Sequence, residues 1–230
     1  VDQVYQSSRI NFNYNAQSKK LWWIGAFMGF TFRENDFYEP RYAGYFFRRN
    51  ASLGYGIFFE SNSAKKYSFF TETFARNFFN FYKCFGVDFL LGQTYRFNSK
   101  FSLTYRLSMQ PRFNNVGYAY STSSTDIIFA RRKRSTVENI LSTRYNFTNR
   151  MGLTFRARHY VSSVDNKEFF TLRQDGKLDP NSTFNQNVNR NVNFFNIDMV
   201  YTWQFAPGSF LNLVWKNSVV DSRDLVEDNY

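Results

Sequence analysis

A period of two runs through almost the whole chain, and no other single feature narrows the fold as much. Between Lys100 and Phe113, the residues Phe101, Leu103, Tyr105, Leu107, Met109 and Phe113 fall on one parity. Lys100, Ser102, Thr104, Arg106, Ser108, Gln110 and Arg112 fall on the other. In a strand, successive side chains point to opposite faces, so one face of this segment is apolar and the other polar. The alternation recurs at Met151, Leu153, Phe155 and Ala157 against Thr154, Arg156 and Arg158. It recurs again from Phe195 to Phe205, with Asn196, Asp198, Thr202 and Gln204 between the apolar residues. Ile10, Phe12 and Tyr14 alternate with Arg9, Asn11 and Asn13. The row from Tyr45 to Phe59 is interrupted by Arg49, which marks a bulge or a strand end. Over Tyr67–Phe81 the pattern is weakest, because aromatics occupy both parities.

Turn signals divide the chain into about ten strands. The expected spans are 3–15, 20–33, 41–60, 66–81, 86–97, 100–113, 126–147, 151–162, 193–205 and 209–220. Short polar connections lie at 16–20, 61–65, 98–100, 148–150 and 206–208. Longer ones lie at 33–41, 114–126 and 162–191, and they tend to alternate with the short ones. Outer-membrane barrels combine short turns on one side with longer loops on the other, and their strands need about 9–11 residues to cross. No linker divides the chain, which reads as a single β domain over residues 1–230.

Composition decides between lipid and water. The chain carries 30 Phe, 16 Tyr and 4 Trp, yet its mean hydropathy is −0.51. Aromatics joined to small polar residues suit a surface that alternates between lipid and water. That aromatic content excludes a disordered chain. No stretch approaches the 18 or so apolar residues of a membrane helix. Arginines sit near strand middles on the polar parity, at Arg96, Arg106, Arg144, Arg156 and Arg158, with Glu138 and Asp198 as acidic partners. These seven are the candidate lumen-facing residues. Trp22 and Trp23 follow a short turn, and Trp203 and Phe205 precede one, as interfacial girdles do. A soluble β-sandwich or barrel also gives period two, but with shorter strands.

No catalytic constellation is legible. The only histidine, His159, shares parity with the apolar row and is expected at the lipid side or the rim. The single Cys84 forms no internal disulfide, and no metal spacing, phosphate loop or nucleophile elbow occurs. No cofactor is expected. Glu138 and Asp198 share the inward parity and could form a carboxylate pair, although charge balance against the arginines is the plainer reading. The run Arg131-Arg132-Lys133-Arg134 and a net charge of +11 suggest nucleic acid, but no recognition motif accompanies them. A basic rim near anionic lipid, or an arginine-lined constriction, fits better, and no nucleic-acid partner is expected. Tyr118 and Tyr120 are placed in a loop, as girdle residues rather than sugar-stacking platforms.

Two strings, Arg131–Tyr160 and Asn193–Ser218, are long and distinctive. They resemble the Bacteroidetes-type outer-membrane barrel family of unknown function. Full-length members of that family are similar in carrying an N-terminal domain that resembles family-9 carbohydrate-binding modules. The resemblance implies a barrel, an outer-membrane address and a link to glycans through that other domain. It transfers no functional residues. Against that family, the N-terminal binding domain is absent and the chain stops at Tyr230 before an expected last strand, so a C-terminal fragment lacking the final strand is expected. With no secretion signal at its start, the chain is expected to be a processed product or a fragment.

The expected fold is therefore all-β, an antiparallel up-and-down transmembrane β-barrel or part of one. The expected function is a non-enzymatic outer-membrane protein, either a passive porin-like channel or the membrane anchor of a glycan-binding protein. The expected partners are outer-membrane lipid and glycans. An outer-membrane enzyme acting on glycans or lipids, and a soluble carbohydrate-binding β-domain, are the alternatives.

Overall fold

Alternating residues become strands along nearly the whole chain. The computed structural model describes residues 5–123 and 125–223. The strands are β1 Arg9–Gln17, β2 Trp23–Thr31, β3 Glu34–Asp36, β4 Phe47–Arg49, β5 Ser52–Glu60, β6 Tyr67–Phe78 and β7 Phe85–Arg96. They continue with β8 Phe101–Met109, β9 Arg112–Ser121, β10 Ile127–Thr148, β11 Met151–Leu172, β12 Leu178–Pro180, β13 Arg190–Ala206 and β14 Ser209–Arg223. Among the described residues there is no helix. Twelve strands make one antiparallel sheet, and β3 and β4 form a separate ribbon.

The main path of the sheet is β1-β2-β5-β6-β7-β8-β10-β11-β13-β14. That path matches the expectation of about ten strands. β1 and β14 are its two edges, and no pairing joins them among the described residues. The expected first strand begins outside the described residues, as does the acidic tail beyond position 223.

Four expected boundaries need correction. The span 100–113 is two elements, β8 and β9, which occupy one position between β7 and β10. Pro111 lacks an N–H, so the ladder breaks there and resumes at Arg112. The 114–126 loop is mostly strand, because β9 reaches Ser121 by pairing with the far end of β10. The 162–191 loop is strand as far as Leu172, and β12 then folds back onto β11. Those extensions have no clean alternation, since a bulge between Arg131 and Arg132 shifts the register against β11. Finally, the span 41–60 splits where Arg49 interrupts its row: β4 leaves the sheet to pair with β3, and β5 begins at Ser52.

The connections sort by end. Those at 18–22, 61–66, 97–100, 149–150 and 207–208 lie at one end of the sheet. One of the two tightest, Ala206-Pro207-Gly208-Ser209, turns through Gly208 at φ 75°, a conformation open to glycine. The connections at 32–51, 79–84, 122–126 and 173–189 lie at the opposite end. There the sheet carries its only described core cluster, formed by Phe47, Val116, Ile127, Phe129, Phe170 and Leu172. The Phe47 and Phe129 rings stand 4.7 Å apart and tie the 32–51 segment to β10.

Candidate functional site: the polar face of the sheet

Residues opposite one another in neighbouring strands share a face. The register therefore traces each face across the sheet. Arg106 lies opposite Ile140, which lies opposite Arg158, then Asn196, then Ser218. Thr104, Ser142, Arg156, Asp198 and Lys216 form the next row. Arg96 lies opposite Ser102, which lies opposite Arg144. All seven candidate residues, Arg96, Arg106, Glu138, Arg144, Arg156, Arg158 and Asp198, thus share one face. The other carries Ile10, Phe12, Met28, Ile57, Leu91, Leu107, Phe155, Met199 and Trp215.

In one part of the sheet, burial runs opposite to that of a water-soluble protein. On β2 and β5 the polar face is covered: Gly25, Gly29, Gly54 and Ser52 are buried. The apolar face of the same strands is bare, with Ile24, Met28, Tyr55 and Ile57 exposed. Ser52 is 2% exposed and Ile57 65%. Three aromatic rings turn to the polar face and lie over glycines of a neighbouring strand: Phe58 over Gly25, Phe27 over Gly56 and Phe74 over Gly54. Those rings explain why the alternation weakens in this region. They fill hollows left by missing side chains.

On the apolar face, near the short turns, aromatic rings run across the sheet. Trp22 contacts Phe59, which contacts Phe69, which contacts Tyr67. The chain of rings resumes with Tyr95, Phe97, Phe101, Tyr145, Phe147 and Tyr201. Tyr67 and Tyr95 are register partners and join the two halves. Trp203 packs on Phe205 at the same end. Trp23 does not join this band, since its register partners Gln17 and Glu60 place it on the polar face.

The candidate residues have different partners. Arg158 donates from Nε to Glu138 at 2.5 Å. Arg96 donates to the carbonyls of Ser63 and Lys65 at 2.8 and 2.9 Å and so closes a short turn. Arg144 donates to Asn146 at 3.3 Å. Arg156 and Asp198 are register partners, and Lys216 follows in the same row. Glu138 is level with Phe194, whereas Asp198 is level with Ser142. At about 3.3 Å per residue and 4.8 Å per strand, the two acids stand roughly 16 Å apart. That exceeds the separation at which two carboxylates share one glycosidic bond, about 5–9.5 Å. The structure does not bring them together as an acid–base pair.

The basic run is dispersed by its own strand. Arg131 pairs with Glu168 and Asn114. Arg132 holds Asn115, the Tyr118 carbonyl and Glu39. Lys133 is exposed, and Arg134 lines a hollow with Gln110, Thr136, Glu138 and Tyr160. Tyr118 and Tyr120 belong to β9 rather than a loop. Arg41 covers the Tyr118 ring at 4.3 Å, and Tyr120 packs on Phe184, so neither offers a free stacking face. His159 lies beside Phe195 on the apolar face, and its Nε2 meets Asn193 at 3.0 Å.

Hollows open along the polar face. One, of about 490 Å³, lies at the short-turn end and is lined by Arg144, Asn146, Gly152, Thr154, Thr202 and Gln204 among others. A neighbour of about 440 Å³ is lined by Thr104, Ser142, Arg156, Asp198 and Lys216 among others. Both are broadly open, as a wetted surface is. Among the described residues, no group of three or more His, Cys, Asp or Glu could hold a metal ion.

These features define an all-β protein built on one antiparallel sheet with a polar and an apolar face. The chain belongs to the family described as Domain of unknown function (DUF5916), whose model matches residues 1–230. No curated protein matches the chain.

Proposed function

We propose that this chain forms the wall of an outer-membrane β-barrel, with the apolar face against lipid and the polar face around a wetted interior. One observation carries the reading: on β2 and β5 small and polar residues are the covered side of the sheet, and large apolar residues are the bare side. A soluble sandwich would reverse that order. The apolar row of β7, from Phe85 to Tyr95, gives the scale. It spans about 34 Å along the strand, or about 25 Å in height at a tilt of about 40–45°. That is the height of the apolar band in such barrels, and the aromatic band sits where a lipid interface would lie. Short turns at one end and longer connections at the other fit the same architecture. The protein is non-enzymatic in this reading and serves as a passive channel. A membrane anchor for a glycan-binding domain is the second form, favoured only by the family resemblance of the two C-terminal strings.

The test is folding into lipid vesicles, followed by conductance in a planar bilayer. The expected result is a detergent- or lipid-dependent fold, a heat-sensitive shift in gel mobility and discrete conductance steps. A fold that forms in buffer without detergent would overturn the membrane reading. Insertion without conductance would leave the anchor in place of the channel.

A further inference from the structure

One pair of arginines on the polar face lacks a counter-ion. By register, Asn11 lies opposite Gly29, Gly29 opposite Gly54, and Gly54 opposite Arg76. Two glycines side by side leave a low floor, on which the Arg9 side chain and the Phe74 ring lie. Arg9 reaches over the first: a Cβ at Gly29 would fall 2.6 Å from its Nη2 and 2.8 Å from its Nε. Arg76 borders the second, with its Nε 3.6 Å from a Cβ placed at Gly54. Neighbouring strands are about 4.8 Å apart, so the two guanidinium groups face each other across that floor. The Phe74 ring forms one side, under the Arg76 guanidinium at 5.5 Å, and the Asn11 side chain forms another.

Acidic charge reaches Arg76 from Glu34 and Asp88, beyond ion-pair distance. Among the described residues neither Arg9 nor Arg76 makes an ion pair, and the Nε of Arg76 is buried with no hydrogen-bond partner. The nearby acids are already engaged. Glu34 and Asp36 hold Arg49 at 3.6 and 2.9 Å, and Asp88 holds Arg112 at 2.5 Å. Two like charges held close together, with donors unused, are unfavourable until an anion lies between them. Guanidinium groups suit oxyanions, because their parallel N–H bonds match two oxygens at once.

We propose that Arg9 and Arg76 bind an oxyanion of the phosphate class above the paired glycines Gly29 and Gly54. The two guanidinium groups grip it from opposite sides. The glycines are needed because any side chain there would displace Arg9 and the Phe74 ring that lies beside Arg76. The site stands on these residues alone and does not depend on the sheet lining a pore. Because it lies on the polar face, its ligand comes from water rather than from a lipid head group.

The experiment is calorimetric titration of the folded chain, in a phosphate-free maltoside detergent, with inorganic phosphate. Arg9→Gln and Arg76→Gln are compared with Lys19→Gln, a charge change in the first turn. The expected result is saturable binding by the parent chain, at least tenfold weaker in either arginine variant and within twofold in Lys19→Gln. Arg9 lies on the exposed edge strand β1, so its variant remains informative even if Arg76→Gln fails to fold. No binding by the parent, or equal weakening in all three variants, would overturn the proposal. Binding to phosphatidic acid in mixed micelles without binding to inorganic phosphate would overturn it too, since that ligand is a head group. A chain that binds phosphate yet folds without detergent refutes the membrane reading alone. A chain that inserts but does not bind refutes this site alone.

Discussion

Arg158 does not point at its register partner. It lies opposite Ile140 but leans back along the hairpin, so that its Nε reaches Glu138 at 2.5 Å. Ile140 is an apolar residue on the polar face, and the diagonal link bridges past it. The Arg158 guanidinium also stands 5.3 Å from the Tyr160 ring, which is the register partner of Glu138. Both charged side chains are partly open to water, at 40% and 24% exposure, so screening limits the contact. A double-mutant cycle with Glu138→Gln and Arg158→Gln should give a coupling of about 0.5–1 kcal/mol in denaturant unfolding. A coupling near zero at low salt would show that the pair is incidental to stability.

The facing of β8 predicts a contrast between adjacent residues. Leu107 lies opposite Leu91 and Asn139 on the apolar face, and Ser108 lies opposite Leu90 and Glu138 on the polar face. In lipid, Leu107→Arg should cost about 2–4 kcal/mol of folding free energy. Ser108→Arg should cost much less, because its side chain enters a wetted hollow that already contains Glu138. Unfolding titrations in vesicles measure both. Greater damage from Ser108→Arg would reverse the assigned faces.

Much of this arrangement was legible in the alternation, because a face needs only the parity of one strand. The seven candidate residues required no partner to be placed together, and Arg49 marked the strand break in its own row. Arg9 and Arg76 were a different matter. Their meeting depends on the pairing of β1 with β2, β2 with β5 and β5 with β6, and a one-residue slip in any of these would separate them. The segment around Arg76 also hid its parity, since Phe70 and Phe74 share the polar face with it, and only the pairing with β5 shows that Phe74 lies over Gly54. The span 126–147 anticipated β10 in full, but the far end of β11 and most of β9 were missed, because β9 and β12 are short or irregular pieces set beside a register shift. Turn chemistry gives no sign of such pieces.

Cys84 offers a test at the long-connection end. Its side chain is buried at 6% exposure between Phe81 and Phe85, and this burial pushes the thiol above its ordinary value. At neutral pH the folded protein should therefore react slowly with a maleimide, and unfolding should accelerate labelling many-fold. The sign of the linkage follows. A raised pKa favours the folded thiol below the ordinary thiol pKa, and that advantage is lost as pH rises through the folded value. The unfolding free energy of the parent should thus fall relative to Cys84→Ala in alkaline buffer and stay parallel to it below pH 7. Fast labelling of the folded chain would show that the packing around Phe81 opens readily.

The four tryptophans supply a depth gauge for the membrane reading. Trp215 lies opposite Met199, which lies opposite Phe155, on the apolar face. Trp203 lies opposite Leu211 near the 207–208 turn, at the level of the aromatic band. From Leu211 to Trp215 the strand advances about 13 Å, or about 10 Å in depth at the tilt of such barrels. Single-tryptophan variants, with the other three changed to Phe, can be folded into vesicles whose lipids carry bromine at different positions along the acyl chain. Trp215 should be quenched best by bromine near the bilayer centre. Trp22 and Trp203 should be quenched best by bromine close to the head groups, where amphipathic rings settle. Trp23 faces the polar side and should respond to neither, while remaining open to a water-soluble quencher such as acrylamide. The ordering matters more than the amplitudes, because it tests strand facing and strand depth together. Equal quenching of Trp23 and Trp215 by the bromolipids would mean that the two faces are not separated by a membrane, and the barrel-wall reading would fail with them.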